Sequence, residues 1–260
     1  MDVVSRGTVV CDLDGVVYVG GDAVPGAGDA LRTLERAGFT VLFCTNNSSR
    51  TKAETAAKIH ATAGFEATPD SVLGSAAAAA ALVAGTSRRV FVVGGSGVRA
   101  ELAEVGVAST DDWRSADTVV VGIDLDLTYD RLASAVLAVR AGARLVATNH
   151  DATYPSSEGL KPGAGAIVAA IETATDVRAE VAGKPHEAMR RMVREAATGG
   201  PIWVVGDRQD TDLAMADAEG WRSALVLTGV AKGPDPSRPR PDLVVEDLGA
   251  FAAWLEDQPR

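Results

Sequence analysis

The 260-residue sequence has few of the features that mark secreted or nucleic-acid-binding proteins. Its only two cysteines, Cys11 and Cys44, cannot build a disulfide framework, and we expect both to be reduced and packed near strand ends. The 25 Lys and Arg residues against 35 Asp and Glu give a net charge of -10. Because nucleic-acid binding depends on basic side chains that neutralise phosphates, this balance argues against a DNA or RNA partner.

Long apolar runs are also lacking. The longest, the alanine-rich stretch at residues 76–84, is well short of the ~20 residues that a membrane span needs. No signal peptide is visible before the first apolar strand. We therefore expect a cytoplasmic protein with no membrane partner.

The apolar segments that are present alternate between strand and helix patterns, which predicts βαβ units and a parallel sheet. The expected strands are residues 8–12, 40–44, 90–93, 118–121, 144–147, 202–205, 223–227 and 243–245. The expected helices include residues 26–37, 49–63, 98–105, 129–140 and 247–255.

Two acids, Asp12 and Asp14, follow the apolar run at residues 8–11. In open α/β sheets, ligands gather beyond the carboxyl ends of such strands. On a continuing strand, residues two apart point the same way, and their carboxylates would repel by ~4 kcal/mol at 4 Å and an effective dielectric of 20. The pair therefore favours a cationic or phosphorylated ligand, although Asp-Gly is also an ordinary turn dipeptide.

A second acid cluster ends another apolar strand, with Asp207 and Asp212 after residues 202–205. If both strands lie in one parallel sheet, these acids converge with Asp12 and Asp14 on one edge. An oxygen-rich pocket of this kind suits Mg²⁺, which binds to carboxylates together with substrate phosphate.

Two uncharged or cationic segments could balance these acids. Thr45, Asn46 and Asn47 follow the strand at residues 40–44, and their hydroxyl and amide groups can bond an oxyanion, helped by the amides of a helix expected to begin near Ser49. Taken alone, this segment also fits a simple loop and helix cap. Lys184, just before a proline, supplies an ammonium group, although on its own it reads as a surface lysine.

Together these four segments resemble the haloacid dehalogenase-like phosphatase superfamily, in the subclass that inserts a large α/β cap between its second and third motifs. Residues 12–16 (DLDGV) are similar to motif one, 45–47 (TNN) to motif two, 183–185 (GKP) to motif three, and 206–212 (GDRQDTD) to motif four. The resemblance implies a Rossmann-like, doubly wound parallel sheet core formed by residues 1–76 and 181–260. Residues 77–180 would form the inserted α/β cap.

The resemblance also implies a mechanism and a Mg²⁺ cofactor. Asp12 would be the nucleophile and a metal ligand, and Asp14 the acid/base, with its backbone carbonyl on the metal. Asp207 would bind the metal, and Asp212 would bind it directly or support the site. The residues that would bind phosphate are Thr45, Asn46, Asn47 and Lys184. Dehalogenases of this superfamily lack the second acid of motif one and need no metal. Asp14 therefore favours phosphate chemistry.

Substrate choice would depend on the loop at residues 147–155, where Asn149, Asp151 and Tyr154 could reach a small polar leaving group. Tyr154 stands where pyridoxal-phosphate phosphatases carry a histidine. The chain looks closest to actinobacterial glycerol 3-phosphate phosphatases, so glycerol 3-phosphate is the expected substrate. The alternative substrates are phosphoglycolate, a nucleotide monophosphate and a sugar phosphate, and the alternative reaction is that of a phosphomutase. Caps of this subclass often carry a dimer contact, so a homodimer through the cap is also expected.

One motif points to a different class of protein. Residues 95–100 (GSGVRA) follow an apolar strand and match the G-x-G-x-x-A turn of dinucleotide-binding folds. A dehydrogenase would also need an acid about 20 residues later, at the end of the next strand. Asp117 precedes the next expected strand and Asp124 lies beyond it, so the match is incomplete.

Overall fold

The computed structural model describes residues 6–156 and 158–258. Its strands are β1 (Gly7–Cys11), β2 (Tyr18–Val19), β3 (Asp22–Ala23), β4 (Phe39–Thr45), β5 (Val72–Gly74), β6 (Arg89–Val93), β7 (Ala108–Thr110), β8 (Thr118–Val121), β9 (Arg144–Ala147), β10 (Thr153–Ser156), β11 (Gly159–Pro162), β12 (Glu180–Val181), β13 (Ile202–Gly206), β14 (Arg222–Val226) and β15 (Leu243–Val245). Its helices are α1 (Ala27–Arg36), α2 (Lys52–Ala63), α3 (Ser75–Val83), α4 (Ser96–Glu104), α5 (Tyr129–Arg140), α6 (Ala164–Thr175), α7 (Glu187–Ala196), α8 (Ala214–Glu219) and α9 (Leu248–Glu256).

The described residues divide into two compact units. The core unit comprises the described parts of Met1–Thr45, Ala53–Leu73 and Arg190–Arg260. The inserted unit comprises Asn46–Lys52 and Gly74–Met189. Each unit has its own sheet and hydrophobic core, which is the two-sheet α/β organisation expected from the sequence.

A six-stranded sheet organises the core unit, in the order β15-β14-β13-β1-β4-β5. β1 lies between β13 and β4 and is parallel to both, with Cys11 opposite Val205 and Phe43. All five residues of β1 are buried, as expected for a strand covered on both faces. Helices α1 and α9 pack against each other, and both contribute to the core around Phe43 and Phe251.

The inserted unit contains a five-stranded sheet in the order β12-β9-β8-β6-β7, with parallel pairing throughout. Alternate residues of β6, β8 and β9 pack against apolar residues of α5 and α6. A hairpin of β10 and β11 follows this sheet and pairs Tyr154 with Lys161.

The strands and helices that the sequence predicted lie within one to three residues of the observed ones, and two of the differing boundaries are near the site. β1 ends at Cys11, so Asp12 already lies outside the strand. Helix α2 begins at Lys52 rather than near Ser49. Several short strands were not predicted, among them β7, where Ala108–Thr110 is largely exposed.

One expectation from composition, on the two cysteines, is confirmed. Cys11 and Cys44 are both buried and unbridged. No helix among the described residues combines the length and the apolar character needed to cross a bilayer.

Candidate active site

Three carboxylates meet at one edge of the core sheet. β1 and β13 are neighbours, and the Asp12 amide donates to the Val205 carbonyl at 2.9 Å, so Asp12 and Asp207 leave the sheet side by side. Each of Asp12, Asp207 and Asp212 offers a carboxylate oxygen within 4.8 Å of the others. The three residues are only 8%, 2% and 1% exposed. The sheet pairing on which the predicted convergence depended is therefore present.

Glycines make room for these acids. The side chain of Asp212 occupies the place where a side chain on Gly206 would project. Gly15 and Gly229 likewise lie against the Asp207 carboxylate, and Gly15 has a φ of +91°, which favours glycine. A larger residue at any of these positions would collide with the carboxylate cluster.

Asp212 reaches the sheet edge through an unusual turn. The segment Gln209–Leu213 forms one turn of π-helix, a rare conformation that is frequent at functional sites. The Arg208 amide donates to Oδ2 of Asp212 at 3.3 Å. This turn brings Asp212 back towards Gly206, where its side chain packs.

The loop after β14 completes the surroundings of Asp207. The Val230 amide donates to Asp207 Oδ2 at 2.6 Å, and the Ala231 amide donates to the Asp207 carbonyl at 3.1 Å. The Thr228 hydroxyl donates to the Gly15 carbonyl. No sequence motif predicted a role for this loop, although Thr228 and Gly229 follow an apolar strand just as the other motifs do.

Asp14 differs from the other three acids. It is half-buried, and among the described residues its carboxylate is not part of the cluster. The inference that Asp12 and Asp14 point the same way assumed a continuing strand, but the chain turns here, with the Gly15 amide donating to the Tyr18 carbonyl at 2.7 Å. Three of the four predicted acids are therefore members of the cluster among the described residues, and the role of Asp14 stays a prediction.

The composition of the cluster suits a hard cation. Its side chains are all carboxylates, with no thiolate or imidazole, and such oxygen donors prefer Mg²⁺ or Ca²⁺ to Zn²⁺. Burying several like charges together is costly unless a cation is bound or a proton is taken up. The residues present therefore fit the magnesium ion that the sequence analysis expects.

Asn46 is the centre of a second group of predicted site residues, within the inserted unit. Its Oδ1 accepts the Lys184 amide at 2.8 Å, and its Nδ2 donates to Asp151 Oδ1 at 3.1 Å and to the Lys184 carbonyl at 3.3 Å. Its own carbonyl accepts from Asn149 Nδ2 and Ser75 Oγ, both at 2.6 Å. The structure thus brings Asn46, Lys184 and two residues of the predicted specificity loop together.

The remaining predicted residues are placed as follows. Thr45 is buried at the end of β4. Asn47 is half-buried, and its Oδ1 accepts the amide and hydroxyl of Ser49 at 3.0 and 2.7 Å, so this segment is a side-chain-capped turn ahead of α2. The Lys184 residue is only 4% exposed, which excludes the surface-lysine interpretation. Tyr154 is half-buried on β10.

The glycine-rich turn has a packing role in this structure. The backbone carbonyls of Ser48 and Arg50 lie where a side chain on Gly97 would project, and the Ser49 carbonyl approaches Gly95. In dinucleotide-binding folds the pyrophosphate approaches the backbone at this turn. Because the chain's own backbone covers Gly97, the turn holds the segment after motif two, and the dinucleotide hypothesis loses its support.

Two family models match the chain. One, described as haloacid dehalogenase-like hydrolase, matches residues 9–108, and a second, HAD-hydrolase-like model matches residues 181–251. D-glycerol 3-phosphate phosphatase of Mycobacterium tuberculosis is 40% identical over 252 residues, covering 92% of this chain and 69% of that protein. Sugar-phosphatase AraL of Bacillus subtilis is 33% identical over 259 residues, covering 98% of this chain and 95% of that protein.

Solved structures show the same likeness. Glycerol phosphate phosphatase of M. tuberculosis in complex with magnesium superposes with a TM-score of 0.86 at 39% identity, covering 94% of this chain and 76% of that one. The p-nitrophenyl phosphatase of Archaeoglobus fulgidus gives a TM-score of 0.87 at 28% identity, covering 96% and 99%. The chain therefore belongs to the haloacid dehalogenase-like hydrolase family, and the resemblance inferred from its four motifs is confirmed.

Proposed function

We propose that this chain is a magnesium-dependent phosphatase that hydrolyses small phosphomonoesters through an aspartyl-phosphate. The observation that carries the proposal is the buried group of Asp12, Asp207 and Asp212 at the carboxyl edge of the core sheet. Family membership and the phosphatases among the relatives support it. Residues 1–76 and 181–260 would act as the catalytic core, and residues 77–180 as the cap.

The proposed reaction has two displacement steps. A carboxylate oxygen of Asp12 attacks phosphorus and forms the phosphoenzyme, while protonated Asp14 gives its proton to the leaving alkoxide. Asp14 then accepts a proton from water, which attacks the same phosphorus and releases inorganic phosphate and free Asp12. A magnesium ion held by Asp12, Asp207 and the Asp14 carbonyl, with Asp212 in support, would neutralise charge on the phosphoryl oxygens.

Thr45 and Lys184 are proposed to bind the phosphoryl group through a hydroxyl and an ammonium donor. Asn46 differs from a simple phosphate ligand, because its Nδ2, the group that could donate to a phosphoryl oxygen, already donates to Asp151 and to the Lys184 carbonyl. Asn47 caps the turn through its Oδ1, which accepts from Ser49. We propose that these two asparagines shape the phosphate-binding loop.

The chemistry is tested by phosphate release from an activated aryl phosphate with Mg²⁺ or with EDTA. Chelation should abolish turnover and added Mg²⁺ should restore it. Asp12→Asn should lower kcat by at least about 10³-fold, because an amide cannot act as the nucleophile, while the thermal midpoint stays close to wild type. Asp70→Asn, at an exposed position, is the matched control. Activity that survives either chelation or Asp12→Asn would refute the mechanism.

For the substrate, we propose glycerol 3-phosphate. The support is the 40% identity to D-glycerol 3-phosphate phosphatase. Two sugar phosphatases, at 33% and 34% identity, favour a sugar phosphate as the second candidate. The specificity loop would meet the leaving group through Asn149, Asp151 and Tyr154. Product analysis would separate hydrolysis from a phosphomutase reaction.

Tyr154→Ala should change the ranking of substrates in a panel of phosphomonoesters that includes glycerol 3-phosphate, phosphoglycolate, sugar phosphates and nucleotides. We expect kcat/KM for the preferred substrate to fall by about 10-fold or more, since a lost side-chain contact costs on the order of 1–3 kcal/mol, with little change for the aryl phosphate. Tyr129→Ala removes a tyrosine that is 83% exposed on α5 and serves as the control. Equal losses on all substrates would remove Tyr154 from specificity.

Two further parts of the proposal concern assembly and location. We predict a homodimer formed through residues 77–180, to be checked by the molar mass from light scattering. Cytoplasmic location is likewise a prediction, to be checked by cell fractionation.

A further inference from the structure

We propose that Gln209 is a positioning residue for the magnesium centre, because it fixes the loop whose other end binds Asp207. This inference depends on the proposed function, since it concerns the same carboxylate cluster. Gln209 is 4% exposed and is the first residue of the π-helical turn that carries Asp212. Nothing in the four family motifs assigns it a role.

The Gln209 amide binds the backbone of the loop after β14 in three places. Its Nε2 donates to the carbonyls of Asp235 and Pro239, at 3.1 and 3.0 Å. Its Oε1 accepts the Asp235 amide at 2.7 Å. Both ends of the side-chain amide are thus used, so the group is oriented by the loop and orients it in return.

The same loop begins at the carboxylate cluster. Thr228 binds the Gly15 carbonyl, and the Val230 amide donates to Asp207 Oδ2 at 2.6 Å. Residues 228–239 are therefore held at one end by Asp207 and Gly15 and at the other end by Gln209. Through this loop, the turn that bears Asp212 also supports the orientation of Asp207.

Hydrogen bonds of this kind set how well a carboxylate can bind a metal ion. Outer partners that orient a ligand typically change metal affinity by about 10–100-fold when they are removed. The Val230 amide holds Asp207 Oδ2 in place, so displacement of the loop would leave the carboxylate less well oriented. The loss should appear in Mg²⁺ affinity rather than in substrate binding.

Surface ion pairs contribute less to the connection between the π-helical turn and the loop than the buried Gln209 amide does. Arg238 Nη1 lies 3.0 Å from Asp210 Oδ2, and Arg238 Nε lies 3.4 Å from Asp235 Oδ2. Arg238 therefore also joins the turn to the loop. The side chains of these three residues are 39–47% exposed, and exposed ion pairs are weakened by solvent and salt. The buried contacts of Gln209 are therefore the main connection.

The test is Mg²⁺ binding by isothermal titration calorimetry on the metal-free full chain. Gln209→Leu, which keeps the volume and removes the amide, should raise the Kd for Mg²⁺ by about 10–100-fold. At limiting Mg²⁺ the variant should turn over an aryl phosphate more slowly than wild type. At saturating Mg²⁺ its kcat should return to the wild-type value, with KM within about twofold of wild type. A role in general stability alone would not produce this recovery.

Three controls make the result decisive. Gln258→Leu removes the other glutamine, whose Nε2 donates to the Trp254 carbonyl in α9, and should leave the Mg²⁺ Kd unchanged. Arg238→Ala should change it by less than about threefold, in keeping with exposed ion pairs. If Gln209→Leu does not fold by circular dichroism, Gln209→Asn, whose shorter amide falls short of the loop, takes its place.

A folded Gln209 variant that binds Mg²⁺ as tightly as wild type would overturn the inference and leave the proposed phosphatase intact. A wild-type chain that neither binds Mg²⁺ nor releases phosphate would overturn both. The two failures are therefore distinguishable in one series of titrations.

Discussion

Asp12 and Asp14 are separated by one residue, yet the structure treats them differently. Asp12 follows β1 directly and keeps a backbone bond to β13, which places its carboxylate in the buried cluster with Asp207 and Asp212. Asp14 lies in the turn that follows and is half-buried. The difference suits the proposed roles, since a nucleophile must stay fixed while an acid/base must exchange protons with substrate and water.

Also at the scale of the residue, a substitution of Asn46 tests how much one side-chain amide stabilises the inserted unit. Asn46→Asp would face the Lys184 carbonyl and the Asp151 carboxylate with a second carboxylate, where Nδ2 now donates. Because a buried group left without a proper partner costs about 1–3 kcal/mol, the free energy of unfolding should fall by about that amount. Urea denaturation measures the change.

Asn47→Asp is the neighbouring control for that prediction. Its Oδ1 accepts two hydrogen bonds from Ser49, and a carboxylate keeps that acceptor, so the free energy of unfolding should change much less. If both substitutions lower the free energy of unfolding equally, the hydrogen bonds of Asn46 make no special contribution to stability.

At the scale of elements, short segments decide how the larger ones are used. The turn between β6 and α4 has a sequence that favours a dinucleotide, but the carbonyls of Ser48 and Arg50 fill the space over Gly97. The π-helical turn after β13 brings Asp212 to the sheet edge. Neither use follows from local propensity, because each depends on how the turn packs against another part of the chain.

Helix α6 gives a prediction for pH dependence. Burial raises the pKa of Glu172, but the Ala179 amide, Arg178 and His150 more than offset burial and hold the pKa of this carboxyl below its usual value of 4.5. The Ala179 amide and the Arg178 guanidinium both donate to Glu172 at 2.8 Å, while His150 Nε2 lies 3.6 Å away. Since the folded state binds a proton less readily, this stabilisation is complete above about pH 4.5 and is lost as the pH falls through the folded pKa.

Glu172→Gln should therefore lower the thermal midpoint at about pH 7, and the gap from wild type should narrow as the pH is lowered from about 5 to 3. Calorimetry across this range measures the effect. Glu66→Gln, at an exposed position, provides the comparison. A gap that stays constant over this range would show that the Glu172 ion pairs do not stabilise the fold.

At the scale of the whole molecule, the order of elements along the chain was predictable, but the order of strands within each sheet was not. Alternating apolar strands and helices predict parallel sheets because each strand needs cover on both faces. The position of β1 between β13 and β4 depends on a pairing of Cys11 with Val205, far apart in the sequence. Local patterns carry no information about such a pairing.

The sequence by itself determined the βα elements, the acids and amides that follow the strands, and the family to which the chain belongs. These features are readable because they depend on burial periodicity and on residue types at neighbouring positions. It could therefore predict an oxygen-rich edge, but not which acids would share it.

Tertiary structure alone decided that Asp12 meets Asp207 and Asp212, and that Gln209 holds the loop around Asp207. It also decided that Asn46 joins Lys184 to Asp151 in the predicted specificity loop. The physical reason is the same in each case. These contacts join backbone and side-chain groups from distant segments, and their geometry is fixed only when the sheets and loops pack.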